Sequence, residues 1–243
     1  MTIKNQNKHM KGLFKDKTYS QQLFYFFLIW GGCFFAANLI AALALITVYG
    51  VDGFKTISES SDFSNINVQL IKWLQITLSI VIFGLPPLIF ALLKNEKFSH
   101  FFNLNKFPDI RLLVLIIPVV ILSGPIIYWI LKINQEMSLP DIFRSIEQYM
   151  RDMEDRNENF LKVLLEMNSY SALALNMLMI AVVPAFVEEL FFRGTMQKML
   201  QTMLKNPHVA IFITGFFFSF VHFQFFGFLP RMFLGILFGY FYA

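Results

Sequence analysis

Long apolar runs separated by short polar segments dominate the chain. A helix needs about 20 apolar residues to cross the hydrocarbon core of a bilayer. The predicted spans are Leu23–Tyr49, Trp73–Leu93, Leu112–Leu131, Tyr170–Phe192, Val209–Phe226 and a last one that begins at Leu229. Hydrophobic residues form 56% of the chain and charged residues 15%, which is too apolar for a soluble domain. We predict an all-α, polytopic transmembrane helical bundle that forms one membrane domain over residues 1–243.

Prolines predict irregular points in two of these spans. Pro86-Pro87 should kink the second span, because proline removes a backbone donor and clashes with the preceding turn. The third span contains Gly124-Pro125 and should also be irregular.

The distribution of basic residues predicts the orientation. Residues 1–20 form a polar segment that contains Lys4, Lys8, Lys11, Lys15 and Lys17. The loop after the second span is also basic, whereas the first loop is poor in lysine and arginine. Cytoplasmic loops carry the excess of positive charge, so we predict a multi-pass protein of the cell membrane with a cytoplasmic N-terminus. The lipid bilayer is the expected partner, and no basic-aromatic surface indicates nucleic acid.

Residues 132–169 form a long, mixed-charge connection that we predict to be extracytoplasmic. Ser138-Leu-Pro140-Asp141 is typical of a helix start, and apolar residues then recur at helical spacing from Ile142 to Met153. A second helix across Phe160–Met167 is a further expectation. We favour an amphipathic helix packed on the end of the bundle over a membrane-surface element that guards lateral access.

Three charged residues interrupt the fourth apolar segment, namely Glu188, Glu189 and Arg193. An ionised side chain at bilayer depth costs about 2.5–3.5 kcal/mol. Ionisable residues inside a membrane usually mark a functional site, with a partner elsewhere in the chain.

The fifth predicted span supplies a candidate partner, His222. A turn at Lys205-Asn206-Pro207 would make the fourth and fifth spans an antiparallel hairpin. Glu188 lies 17 residues before Lys205, and His222 lies 17 residues after it. At 1.5 Å per residue, both would lie about 25 Å from the turn and therefore at one depth.

Helical spacing places Glu189 and Arg193 on one face, where they can pair. Glu188 can then face His222. A carboxylate and an imidazole that meet at one water can act as general base and orienting group, or they can be two ligands of a metal. The structural alternative is a buried salt bridge plus a histidine bonded to a backbone carbonyl; for Glu188 and His222 we favour function.

Small and aromatic residues near His222 are predicted to serve packing. Gly235, Gly239 and Ala243 form a stripe that favours close helix contact. Phe218 lies one turn before His222 and should shape its pocket. The last apolar run stops about ten residues after Arg231, half of what a span needs, so we expect the C-terminal part to be truncated and further site residues to follow.

Glu188-Glu189-x-x-x-Arg193 followed by Phe218-x-x-x-His222 resembles the first two motifs of the CPBP family of intramembrane proteases, also called Abi, which includes CAAX-prenyl-protease-like and bacteriocin-processing proteins. The resemblance covers residues 184–239, the predicted catalytic core. It implies an all-helical core of about eight spans and endopeptidase activity, with Glu188 activating water and His222 assisting. Glu189, Arg193 and Phe218 would be supporting residues.

The resemblance leaves the catalytic type open. We favour a metal-independent glutamate peptidase over a zinc enzyme whose ligands would include Glu188 and His222. Members carry a later span with a further histidine or asparagine pair, and the sequence ends at Ala243 before any such motif. We therefore expect the 243-residue fragment to be incomplete or inactive. Peptides or membrane-bound precursors are the expected substrates.

Two other classes of function remain as alternatives. The first is a non-enzymatic membrane scaffold or bacteriocin-immunity-type protein that retains the motif for packing. The second is a transporter with a buried ion relay, which the lack of matched inverted halves disfavours.

Overall fold

The computed structural model describes residues 12–14, 16–59, 66–102 and 110–243, and within them it contains helices and no β-strand. Among these residues, four helical segments are long and apolar enough to cross a membrane: Tyr19–Lys55, Val68–Leu93, Val114–Glu136 and Tyr170–Leu204. The predicted all-α polytopic class is confirmed. The predictions for Lys4, Lys8, Lys11 and Lys15 concern positions outside the described residues.

The helices follow one another with short connections. In chain order they are α1 (Tyr19–Glu59), α2 (Val68–Ser79), a π-helix (Ile80–Gly84), α3 (Leu85–Leu93), α4 (Phe98–Phe101), α5 (Ile110–Glu136), α6 (Arg144–Leu164), α7 (Tyr170–Met177), a π-helix (Leu178–Val182), α8 (Val183–Glu188), a π-helix (Glu189–Gln197), α9 (Lys198–Leu204), α10 (Pro207–Phe220) and α11 (Phe228–Tyr242). Short 3-10 turns occupy Gly12–Phe14 and Asp141–Phe143.

The chain divides into two compact units. The first unit comprises Met1–Phe102 and Arg156–Gly194, and the second comprises Asn103–Asp155 and Thr195–Ala243. The assignment of the whole chain to one membrane domain stays a prediction.

Proline has different effects in the two segments where we expected irregularity. Pro86 and Pro87 stand at the start of α3, directly after a π-helix. The wider π turn accommodates prolines, which cannot donate to the preceding turn. At Gly124-Pro125 the helix is not interrupted, because α5 continues through both Pro118 and Pro125, and the expected irregularity stays a prediction.

Aromatic rings form much of the core of the first unit. Phe26, Phe90 and Phe191 are fully buried. The ring of Phe191 lies 4.8 Å from that of Phe26 and meets Phe83 edge-on at 5.4 Å. These contacts join α1, the π-helix Ile80–Gly84 and the π-helix Glu189–Gln197, which carries the charged motif.

In the second unit, α10 and α11 pack with almost no side chain between them. A Cβ on Gly235 would lie 2.9 Å from the Cα of Gly215, and one on Gly239 would lie 2.9 Å from Ile211. The predicted role of the small-residue stripe in close helix packing is confirmed.

The connection between the third and fourth spans contains the predicted amphipathic helix. A 3-10 turn at Asp141–Phe143 leads into α6, as Pro140-Asp141 indicated. The connection is shorter than the predicted 132–169, because α5 continues to Glu136. A separate helix across Phe160–Met167 is also wrong, since α6 continues without a break to Leu164.

Candidate active site

Buried apolar neighbours position the two glutamates in the first unit. Glu188 ends α8, and Glu189 begins the π-helix. Val187, just before them, is 5% exposed and contacts Gly84, where an added Cβ would lie 3.1 Å from the valine side chain. Phe191 and Phe192, just after them, are fully buried. The motif is therefore fixed on both sides by packing.

The expected ion pair within the motif is present. Arg193 Nη1 lies 3.3 Å from Glu189 Oε1. The arginine side chain is 1% exposed and that of Glu189 is 47% exposed, so the pair joins a buried cation to an accessible carboxylate. Glu188 is half-buried.

The turn between α9 and α10 forms at the predicted residues. Lys205 takes a left-handed conformation with φ of 55° and ends α9. The side chain of Asn206 accepts hydrogen bonds from the backbone N–H of His208 and Val209, and Pro207 is the first residue of α10. Asparagine at the N-cap and proline at the first helical position are both favoured.

The structure corrects the position of His222. We predicted a helical span over Val209–Phe226, but α10 ends at Phe220. His222 therefore lies in a loop of residues 221–227, the His222 loop, which leads to α11. Phe223 in this loop has a φ of 50°, a left-handed conformation that a helix cannot contain. The expected match in depth between Glu188 and His222 required a helix that continues to His222, and α10 ends two residues before it.

A backbone carbonyl fixes the tautomer of His222. Its Nδ1 lies 2.7 Å from the oxygen of Phe218. A carbonyl oxygen can only accept, so Nδ1 carries the proton, and in the neutral ring Nε2 is the acceptor. The Phe218 ring lies 5.2 Å from the imidazole and packs over Gly235, where an added Cβ would meet it at 3.1 Å.

Polar side chains that we did not predict hold the His222 loop. Asn134 in α5 donates to the carbonyl of Phe225 at 3.0 Å and accepts from the N–H of Leu229 at 2.8 Å. Ser219 donates to the carbonyl of Phe228 at 2.6 Å. Arg231 donates to the side chain of Gln224. These hydrogen bonds hold the loop in place near both of its ends.

The N-terminal half of α6 also contacts this loop. The Glu154 carboxylate accepts a hydrogen bond from the N–H of Phe226, and the guanidinium carbon of Arg151 lies 4.0 Å from the centre of the Phe226 ring. Burial raises the pKa of Glu154 above its usual range, although the Phe226 N–H and the charge of Arg231 act in the opposite direction. These contacts support the packed-helix interpretation of α6.

A mostly aromatic pocket of about 330 Å³ lies beside the His222 loop. Its lining residues are Met150, Phe220, Phe223, Gln224, Phe225 and Phe228. An apolar group of that size can be held next to the histidine.

The predicted site residues fall into two groups. Glu188, Glu189 and Arg193 belong to the first unit, and Phe218 and His222 belong to the second. Convergence of Glu188 with His222 stays a prediction. Among the described residues, no three or more His, Cys, Asp or Glu side chains form a group that could hold a metal ion. Zinc sites in enzymes use three protein ligands, and the described residues do not bring such a set together.

The chain matches a known family over its C-terminal part. The family model of Type II CAAX prenyl endopeptidase Rce1-like proteins matches residues 170–243, just under a third of the chain. The matched segment runs from α7 to α11 and contains all five predicted site residues, which confirms the resemblance to the CPBP family. The matched family is a protease family. A search of curated proteins and a search of solved structures each gave no match.

Proposed function

We propose that this multi-pass membrane protein is an intramembrane endopeptidase in which Glu188 and His222 act on one water molecule. The observation that carries the proposal is the family match over residues 170–243, because a single peptidase family model covers both side chains. The Glu188 segment, which comprises α8 and the π-helix Glu189–Gln197, is anchored by buried side chains. This anchoring and the fixed tautomer of His222 support the assignment of roles.

The chemistry follows from the atoms that these residues offer. A water molecule would donate one hydrogen to the Glu188 carboxylate and the other to Nε2 of His222. Glu188 takes the proton as the water oxygen attacks the peptide carbonyl carbon, and that proton passes to the leaving amine as the C–N bond breaks. The ion pair with Glu189 compensates the charge of buried Arg193 beside the base.

The proposal includes the substrate class and the orientation. Substrates would be peptides or membrane-bound precursors that approach from the bilayer, and the aromatic pocket beside the His222 loop is suited to their apolar parts. The protein would reside in the cell membrane with its N-terminus in the cytoplasm, as the basic N-terminal segment indicates.

Cleavage of quenched fluorescent peptides in proteoliposomes tests this function. The peptides would end in a cysteine-aliphatic-aliphatic-X tail, with and without a farnesyl group on the cysteine. Glu188→Gln and His222→Ala should each lower kcat/KM, the former by about 100- to 10,000-fold, which is the usual contribution of a general base. Glu158→Gln, which alters an exposed glutamate in α6, should retain full activity.

Each other result has a definite meaning. Equal turnover by Glu188→Gln and Glu158→Gln would reject the assigned base. No cleavage by the wild type, together with a change in stability in Glu188→Gln, would favour the scaffold alternative. Activity that persists in a chelator supports the metal-independent mechanism, and its loss with recovery on adding zinc contradicts it.

A further inference from the structure

Asn134 stands out among the polar residues buried in the second unit. It lies near the end of α5, is 1% exposed, and uses both ends of its amide. Nδ2 donates to the carbonyl of Phe225, and Oδ1 accepts from the N–H of Leu229. One partner can only accept and the other can only donate, so the amide has one orientation that satisfies both.

The two partners bracket the end of the His222 loop. Phe225 lies three residues after His222, and Leu229 lies in the first turn of α11. A side chain more than 90 residues away in sequence thus fixes the direction in which the chain leaves the loop. At the other end, Phe218 binds the imidazole itself. The chain between these contacts is short, comprising residues 221–224.

We propose that Asn134 is a positioning residue that acts through the backbone of the His222 loop to hold the imidazole in place. The proposal rests on the proposed function for its effect on catalysis. A displacement of about 1 Å at a catalytic group lowers turnover by about a hundredfold. Loss of both hydrogen bonds should therefore affect kcat far more than KM.

Asn176 provides a matched control. It is also a helical asparagine, 2% exposed, and its Nδ2 donates to a distant backbone carbonyl, that of Leu165, at 3.0 Å. It belongs to the first unit, whereas the His222 loop belongs to the second. Asn134→Leu removes two hydrogen bonds and should lower the melting temperature more than Asn176→Leu, which removes one. Only Asn134→Leu should lower kcat, by about 10- to 100-fold.

The position of the imidazole can be read without activity. In whole protein carrying ¹⁵N-labelled histidine, the His222 resonances are identified by their loss in His222→Ala. They should shift in Asn134→Leu and remain unchanged in Asn176→Leu. Unshifted resonances in Asn134→Leu would overturn the proposal. The proposal would also be overturned if the His222 resonances shift in Asn134→Leu while its kcat stays at the wild-type value, provided that His222→Ala is inactive.

A second variant covers the case in which Asn134→Leu does not fold. Asn134→Asp keeps an acceptor for Leu229 and, when protonated, also donates to Phe225. Its kcat relative to wild type should rise as the pH is lowered, and a pH-independent ratio would contradict the proposal. Wild-type cleavage by His222→Ala would instead reject the proposed function, while the resonance shift still decides whether Asn134 positions the ring.

Discussion

The two segments that carry the candidate catalytic side chains are held in different ways. The Glu188 segment is helical and is fixed by apolar contacts, with Phe191 buried among the rings of Phe26 and Phe83. The His222 loop is irregular and is fixed by hydrogen bonds at its C-terminal end. Asn134 donates to the carbonyl of Phe225 and accepts from the N–H of Leu229, and Ser219 donates to the carbonyl of Phe228.

The difference follows from what each backbone needs. A helix satisfies its own N–H and C=O groups, so packing alone can orient it inside a membrane protein. A loop leaves backbone groups without helical partners, and outside water these must be satisfied by side chains or other backbone groups. Substitutions should therefore damage the first segment through lost volume and the second through lost hydrogen bonds or altered helix contact.

The largest expected effect comes from removing the ring at the centre of the aromatic core. Phe191→Ala should lower the free energy of unfolding by about 3–5 kcal/mol, because it leaves a cavity among buried rings. Phe186→Ala removes a ring that is 60% exposed on the preceding helix and should change stability by less than about 0.5 kcal/mol. Chemical unfolding in detergent compares them, and equal losses would contradict the assigned core.

A smaller loss is expected at the contact between α10 and α11, which carries the His222 loop at its end. A Cβ at Gly215 would lie 2.9 Å from the backbone nitrogen of Ile236. Gly215→Ala should therefore destabilise by about 1–3 kcal/mol. At Gly124 nothing lies within 4 Å of an added Cβ, so Gly124→Ala should be neutral or stabilise by up to about 1 kcal/mol. The same unfolding measurement tests both, and a tolerated Gly215→Ala would contradict the tight packing.

The smallest expected effect is on stability and concerns Glu147, an α6 residue whose carboxylate accepts two hydrogen bonds. Arg151 donates to Glu147 at 2.8 Å, and the N–H of Leu139 donates to the same carboxylate at 2.7 Å. The hydrogen bond from Arg151, followed by that from Leu139, holds the pKa of Glu147 below its usual range. The stability that this group contributes is present above the usual glutamate pKa and is lost as the pH falls through the lowered value.

Hydrogen exchange at the Leu139 amide measures this effect. Protection, expressed relative to the intrinsic exchange rate, should fall between about pH 6 and about pH 3. Glu147→Gln should show weaker protection without that pH dependence. An unchanged pH profile in Glu147→Gln would assign the effect to another group.

Sequence reasoning succeeded where a short local pattern determines the structure. Asn206 and Pro207 each prefer the conformation that they adopt, so the turn could be predicted without knowledge of its surroundings. The left-handed φ of Lys205 is one that lysine rarely adopts and was not predicted. The pairing of Glu189 with Arg193 could be predicted for the same reason, since it depends only on residues four apart.

It failed where distant contacts decide. Phe225 and Phe226 are apolar and were counted in a span, but the loop that contains them is stabilised by Asn134, whose partners lie 91 and 95 residues away. An asparagine near the end of an apolar helix gives no local signal of that role. The π-helices Ile80–Gly84, Leu178–Val182 and Glu189–Gln197 were missed as well.

The π-helix Glu189–Gln197 makes the number of residues in this segment important, in addition to their identity. A π turn holds an additional residue compared with an α turn. Deleting one residue, such as Leu190, would allow the segment to close as an ordinary α-helix. Because the deleted residue is the additional one, the helix after it would keep nearly the same register, but the arginine would then stand three residues after Glu189 and four after Glu188. Both spacings allow pairing in an α-helix. A single-codon deletion would therefore let Glu188, the proposed base, compete with Glu189 for the arginine, although every charged side chain would still be present.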